Sequence, residues 1–133
     1  MKSKIKRIIK KEGRMIRKEW KNIIFNFLFA VLSLLAVILY YEKIVLTTIL
    51  LLVLTIIGMI KWKSKITLIL FVIGGLGGTI SEMIAIYTTN VWGYAIPNIL
   101  NLVPFWLFVL WGNTTAFLFE TGKEIKKLGV KDK

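Results

Sequence analysis

Four long apolar runs, joined by short polar connections, constrain this chain more than any other feature. A helix needs about 20 apolar residues to cross a hydrocarbon core of about 30 Å, where the backbone finds no water to bond. A mean hydropathy of +0.71 also favours a membrane protein over a soluble domain. The sequence therefore predicts an all-α, polytopic protein with four transmembrane helices. The predicted spans cover about residues 23–41, 44–60, 66–88 and 96–119.

The distribution of Lys and Arg predicts how these spans are oriented. Residues 1–22 carry ten of these cations, 61–65 carry three and the tail at 121–133 carries five, whereas the two other connections carry Lys43 alone. Cationic connections stay on the cytoplasmic side of a membrane. We therefore expect a multi-pass protein of the cell membrane, with a four-helix transmembrane domain at 23–120 and both termini in the cytoplasm.

The N-terminal segment, residues 1–22, has the pattern of a basic amphipathic helix. Such a helix lies in the headgroup plane or continues the first span into the cytoplasm, and anionic lipid attracts it by about 1 kcal/mol per cation. Glu12 and Glu19 fall in its apolar sector, so they either meet basic groups elsewhere or stay hydrated. The cations expected to contact anionic lipid are Lys6, Arg7, Lys10, Lys11, Arg14, Arg17, Lys18 and Lys21.

The third run combines glycines with a carboxylate. Gly74 and Gly78 form a small-xxx-small pair, which predicts close helix packing within this bundle, with a homodimer seam or room for a ligand as alternatives. Glu82 lies about 9 Å from the outer end of the span, so its carboxylate must find partners or take up a proton. We expect a polar cluster near the outer face, made of Glu82, Ser81, Asn98, Asn101, Trp92, Tyr94 and Tyr87.

The position of Pro104 allows two alternative starts for the fourth helix. Inside a helix it would free the carbonyl of Leu100 and bend the chain. Alternatively, the helix begins at Pro104, which suits the first turn, and residues 95–103 dip into the outer interface. Asn26 and Asn113 are both expected toward the cytoplasmic side, where they could pair across helices.

A series of short motifs follows Glu82 between about residues 78 and 120. In order they are the W-x-Y of Trp92 and Tyr94, Pro97, the PFW that begins at Pro104 and the WGN that begins at Trp111. This order resembles, distantly, that of carotenoid-hydratase-like integral membrane proteins and of small uncharacterised prokaryotic membrane protein families. The resemblance implies that Glu82, Trp92 and Tyr94 belong together. The hydratase-like proteins have more spans, so no activity is carried over.

The residue types present favour binding over catalysis. The chain has no His and no Cys, and one carboxylate inside the membrane offers no acid–base pair, so no cofactor or metal is expected and an enzyme is the least favoured class. We predict a non-enzymatic binding or assembly role, in which the cluster at Glu82 binds a lipid-like or amphipathic molecule. One alternative is a proton-coupled small transporter that works as a homodimer through Glu82. Another is a membrane anchor that recruits a cytoplasmic partner or anionic lipid through residues 1–22; no specific nucleic acid is expected.

Overall fold

The computed structural model describes residues 2–130, which form four helices and, within that range, no β-strand. The all-α class is therefore confirmed, and residues 131–133 of the predicted tail lie outside the described range. Three of the helices are long and apolar enough to cross a membrane, judged by length and composition. They are α1 (Lys2–Tyr40), α2 (Ile44–Trp62) and α3 (Lys65–Thr89), and they are followed by α4 (Trp106–Lys127).

The basic N-terminal segment and the first apolar run form one continuous helix of 39 residues, α1. The basic side chains expected to contact lipid are all exposed, and so is Glu12. Among the side chains that the structure describes, the first buried one is Glu19, followed by Ile23, Asn26 and Phe29, which recur every three or four residues on one face. α1 therefore packs along its C-terminal half, and its N-terminal half continues the helix as an extension.

Short connections hold the first three helices in alternating directions. Lys63 ends α2 in the left-handed conformation, with φ of 51°, and its N–H donates to the Met59 carbonyl at 2.9 Å. Ser64 then caps α3, because its hydroxyl oxygen accepts from the Thr67 N–H at 3.2 Å. Asn90 ends α3 in the same left-handed way.

The fourth helix begins at Trp106 rather than near residue 96, so the expected span at 96–119 is not one continuous helix. Leu100 and Asn101 both have positive φ, 51° and 58°, and turn the chain back so that the Ile99 N–H donates to Val103 at 2.9 Å. The Asn98 side chain then accepts from the Phe105 N–H at 2.7 Å. Pro104 has no N–H that needs a partner, and Asn98 supplies an acceptor to the first turn. Both features favour a helix that begins just after Pro104.

The bundle is built around α4, which packs on all three other helices. Its buried face carries Trp106, Val109 and Ala116, and also the polar residues Asn113 and Glu120. Most large apolar side chains of α1, α2 and α3 point outward and are exposed. The fold thus has an apolar exterior around a partly polar interior, the reverse of the usual soluble pattern.

Candidate functional site

The carboxylate of Glu82 accepts hydrogen bonds from three aromatic side chains. The Tyr94 hydroxyl and the Trp92 indole N–H, at 3.2 Å, donate to Oε1, and the Trp111 indole N–H donates to Oε2. These donors come from the 90–105 loop and from α4, so the site ties the end of α3 to both. An ionised carboxylate offers about four acceptor positions, which leaves one open on Oε2. We call these four residues the Glu82 cluster.

Glycines on α3 let α4 approach closely enough to complete the Glu82 cluster. A Cβ at Gly78 would overlap the Trp111 ring, and a Cβ at Gly74 would overlap Thr115. Gly78 lies one turn before Glu82, so the indole rests on the α3 backbone and its N–H reaches the carboxylate. The Gly74–Gly78 pair therefore packs against a helix of the same chain.

A groove of about 370 Å³ opens on the surface beside the Glu82 cluster. Gly77 leaves open space along its floor, and Ser81 donates to its own helix at the Gly77 carbonyl, at 2.6 Å. The groove thus offers an apolar channel with one anionic end. Its lining consists of Gly74, Gly77, Gly78, Ser81, Glu82, Trp92, Trp111 and Thr115.

Three residues expected beside Glu82 have other surroundings. Tyr87 is 79% exposed, Asn98 caps the start of α4, and Asn101 forms the tight turn. A straight helix from residue 96 would have placed both asparagines at the depth of Glu82. The chain turns at Leu100 and Asn101 instead, so these asparagines serve the backbone of the loop.

Tyr94 is held as a hydrogen-bond donor by its environment. Burial, then the hydrogen bond to Glu82 and the charge of that group, raise the pKa of Tyr94 well above its usual value. A raised phenol pKa favours the protonated form in the folded state, so its contribution to stability is present at neutral pH and is lost as pH rises above about 10. The ring also packs edge-on against Trp106, with centroids 5.9 Å apart.

Trp111 is the member of the Glu82 cluster that sequence reasoning did not place there. The sequence singles out Trp111 only as the first residue of the WGN motif, and its position along the chain does not indicate a contact with Glu82. The signal that could have found it is complementarity between antiparallel helices, since a glycine on α3 needs a bulky group opposite it.

Asn26 and Asn113 do not pair with each other. Asn113 accepts from Thr55 at 2.6 Å and donates to Ser33 at 3.3 Å. Asn26 accepts from the Trp62 indole at 2.8 Å and donates to Thr121 at 3.3 Å. The two amides lie at different levels of the bundle, because α1 and α4 run antiparallel, and each joins three helices at its own level.

Two further carboxylates, Glu120 and Glu124, lie at the opposite end of the bundle from Glu82. Both are buried, at 4% and 6% exposure. Lys123 and Lys127 pair with them at 3.1 and 3.3 Å, and Thr67 also donates to Glu120. Sequence analysis placed Glu120 at the end of the transmembrane domain and Glu124 in the basic tail at 121–133, and it did not recognise them as a pair. The sequence pattern that could have predicted this pair is the four-residue spacing from Ala116 to Glu120 and Glu124, which continues the buried face of α4 that also holds Asn113.

Comparisons with protein-family models, with curated proteins and with solved structures found no match to this chain. What is established is the class: a small all-helical bundle with three helices of membrane-spanning length and composition. Any function must therefore be argued from the geometry of the residues themselves.

Proposed function

We propose that this chain crosses the cell membrane four times, with both termini in the cytoplasm. Three helices have the length and composition for a crossing, and α4 together with the apolar loop before it supplies the fourth. An even number of crossings keeps the basic N-terminus and the lysines after Phe119 on one side, as the distribution of cations favours. The Glu82 cluster then lies near the outer face.

We propose that the protein has a non-enzymatic binding role and holds the polar end of an amphipathic or lipid-like molecule at Glu82. The observation that carries this proposal is a carboxylate fixed by three donors at the end of an apolar groove, with one acceptor position left open. A fitting ligand has an ammonium or hydroxyl donor on a hydrocarbon chain. Its chain would lie along Gly77 and its donor would reach Oε2.

Electrostatics favour a cationic headgroup over a neutral one. A charged carboxylate at a bilayer centre costs at least about 2.5 kcal/mol, and less near the interface. The Tyr94, Trp92 and Trp111 donors offset part of this cost without neutralising the charge. An ammonium donor would offset more of the cost and would also neutralise the charge, through a charge-assisted hydrogen bond of roughly twice the usual strength.

Binding of dodecylamine to the purified protein in mild detergent tests this proposal, with dodecanoic acid as the probe of opposite charge. Glu82→Gln keeps the size of the side chain and removes its charge, so we expect about tenfold weaker binding of the amine. Gly77→Leu fills the open floor of the groove and should weaken binding as well. Ile80→Ala, on the exposed face of α3, is the control. Equal binding of the amine to wild type and to both site variants would overturn the proposal.

A second role is favoured by the exposure of the basic half of α1. We propose that its cations contact anionic lipid at the cytoplasmic face, which would make this segment an anchor or a recruiting surface. The transporter alternative has less support. Gly74 and Gly78, which would have formed the dimer seam, are covered by Thr115 and Trp111 of the same chain.

A further inference from the structure

A polar pocket of about 230 Å³ lies at the Glu120 end of the bundle, between α1, α2 and α4. It is separate from the Glu82 groove, which lies at the other end. In the proposed topology this pocket is level with the headgroups of the inner leaflet. Its charged lining consists of Lys18, Lys61, Glu120, Lys123, Glu124 and Lys127.

Glu124 in this pocket has an unused acceptor. Its Oε1 accepts from Asn22 at 3.2 Å and from Lys127 at 3.3 Å. Its Oε2 has no hydrogen-bond partner among the described residues, and it is buried, since Glu124 as a whole is only 6% exposed. A buried charged acceptor without a donor is costly, so this oxygen marks a position for a donor brought by a ligand.

The lysines of the pocket outnumber its carboxylates and supply donors for an anion. Lys123 and Lys127 each give one contact to a glutamate, and an ammonium group has three donors. Lys18 and Lys61 form no ion pair within the described range. The same pocket therefore suits a phosphate on its lysine side and a cationic donor at Glu124.

An apolar groove of about 190 Å³ is lined by Phe25 and Phe29, the two rings that pack against Trp62 of this polar pocket. Trp62 lies between the two: it lines the pocket, and its ring packs on Phe29 and Phe25, with centroids 4.9 and 6.2 Å away. The groove runs between α1 and α2 from these rings toward the middle of the bundle. Its lining consists of Phe25, Leu28, Phe29, Leu32, Leu54 and Ile57.

We propose that the pocket and the groove together bind a phospholipid whose headgroup carries both a phosphate and a primary ammonium group. The lysines hold the phosphate, Oε2 of Glu124 accepts from the ammonium, and one acyl chain lies in the groove between α1 and α2. The headgroup chemistry alone also occurs in free phosphoethanolamine, which has no acyl chain. The apolar groove beside Trp62 gives an acyl chain a place to lie, which favours the lipid.

Competition among three phospholipids with identical acyl chains tests this site by native mass spectrometry of the full-length protein. Phosphatidylethanolamine offers phosphate and an ammonium with N–H donors, phosphatidylcholine offers phosphate and an ammonium without N–H, and phosphatidylglycerol offers phosphate and neutral hydroxyl donors. We expect phosphatidylethanolamine to be retained about tenfold over either competitor, as one charge-assisted hydrogen bond predicts. Glu124→Gln should abolish this preference, whereas Glu42→Gln, an exposed carboxylate at the other end, should leave it unchanged.

Two more variants keep the test decisive if Glu124→Gln folds poorly. Lys61→Gln should lower retention of all three lipids alike, because it removes a phosphate contact. Leu32→Trp should fill the groove and lower lipid retention while leaving binding of free phosphoethanolamine intact. Equal retention of the three lipids by wild type, an unchanged preference in Glu124→Gln, or free phosphoethanolamine binding as tightly as the lipid would each overturn the proposal. None of these outcomes bears on dodecylamine at Glu82.

Discussion

At the scale of single residues, the indole N–H of Trp111 joins α4 to Glu82 on α3. This contact forms between residues 29 positions apart, and it depends on the missing side chain at Gly78. Tyr94 and Trp92 approach the same carboxylate from the loop. One acidic side chain therefore organises three separate parts of the chain.

Trp111→Phe keeps the ring and removes the donor. We expect it to lower the free energy of unfolding by about 1 kcal/mol, since hydrogen bonds inside membranes average less than those to charged groups in water. Equilibrium unfolding in mixed mild-detergent and dodecyl sulfate micelles measures this change. Trp92→Phe should cost less, because its hydrogen bond is long at 3.2 Å and it shares Oε1 with the Tyr94 hydroxyl. The reverse order would contradict the assignment of Trp111 as the main donor.

Asn113 is a polar residue buried among three helices of the bundle, and it is 1% exposed. Asn113→Ala removes the donor to the Ser33 hydroxyl and the acceptor used by Thr55, so we expect a loss of about 1–2 kcal/mol of unfolding free energy. Thr114→Ala is the matched control, because Thr114 is exposed and bonds only its own helix at Leu110. Equal unfolding midpoints for the two variants would show that the buried network adds nothing.

At the scale of helices, α3 and α4 form the closest pair, and the face that joins them is lined by glycine. Gly74, Gly75 and Gly78 on α3 meet Thr115, Phe108 and Trp111, and Gly112 on α4 meets Phe71 in return. Such small residues let two backbones approach, which is how helices gain packing energy where lipid is as apolar as the side chains.

Gly78→Ala should separate these two helices. Its Cβ would overlap a rigid indole ring, so we expect a loss of about 1–3 kcal/mol of unfolding free energy. Gly77→Ala faces open space and should be neutral or stabilise the helix by up to about 1 kcal/mol. Thermal unfolding of both variants in the same detergent gives the comparison, and similar melting temperatures would argue against close packing at Gly78.

The length of α1 makes a prediction about its charges. A helix of 39 residues is about 58 Å long, so its N-terminal half extends well beyond a core of about 30 Å if it stays straight. Screening limits surface attraction to about 8–10 Å. In reconstituted protein, Arg17→Gln with Lys21→Gln should therefore reduce association of spin-labelled phosphatidylglycerol more than Lys6→Gln with Lys10→Gln. Equal losses would mean that the segment lies flat on the membrane.

At the scale of the whole molecule, the orientation in the membrane decides which site faces which compartment. The chain has no cysteine, so single-cysteine variants report on one position each. We expect a membrane-impermeant maleimide to label Gly93→Cys in intact cells, and to label Ser3→Cys and Val130→Cys only after permeabilisation. Labelling of Val130→Cys from outside, with Ser3→Cys still protected, would mean three crossings. Glu120 and Glu124 would then be separated from Lys18 and Lys61, and the pocket between α1, α2 and α4 could not form.

The division between what could and could not be predicted follows the range of the interactions. The first three helices were predictable because each is set by a local run of apolar residues, and their short links leave little freedom. The start of α4 was left open between residue 96 and Pro104. The choice depends on a turn at Leu100 and on the side chain of Asn98, which accepts a hydrogen bond from the N–H of Phe105, seven residues later. Trp92 and Tyr94 lie close to Glu82 along the chain, and the structure brings both to it.

The sequence by itself determined an all-helical chain, the apolar faces of its helices and the concentration of its cations in alternate connections. These follow from composition and periodicity, which act over a few residues. Tertiary structure alone decided that Trp111 meets Glu82, that Asn26 and Asn113 take separate partners, and that Glu120 and Glu124 are buried beside lysines. The physical reason is that these contacts depend on how antiparallel helices align side by side, which no local pattern in the chain records.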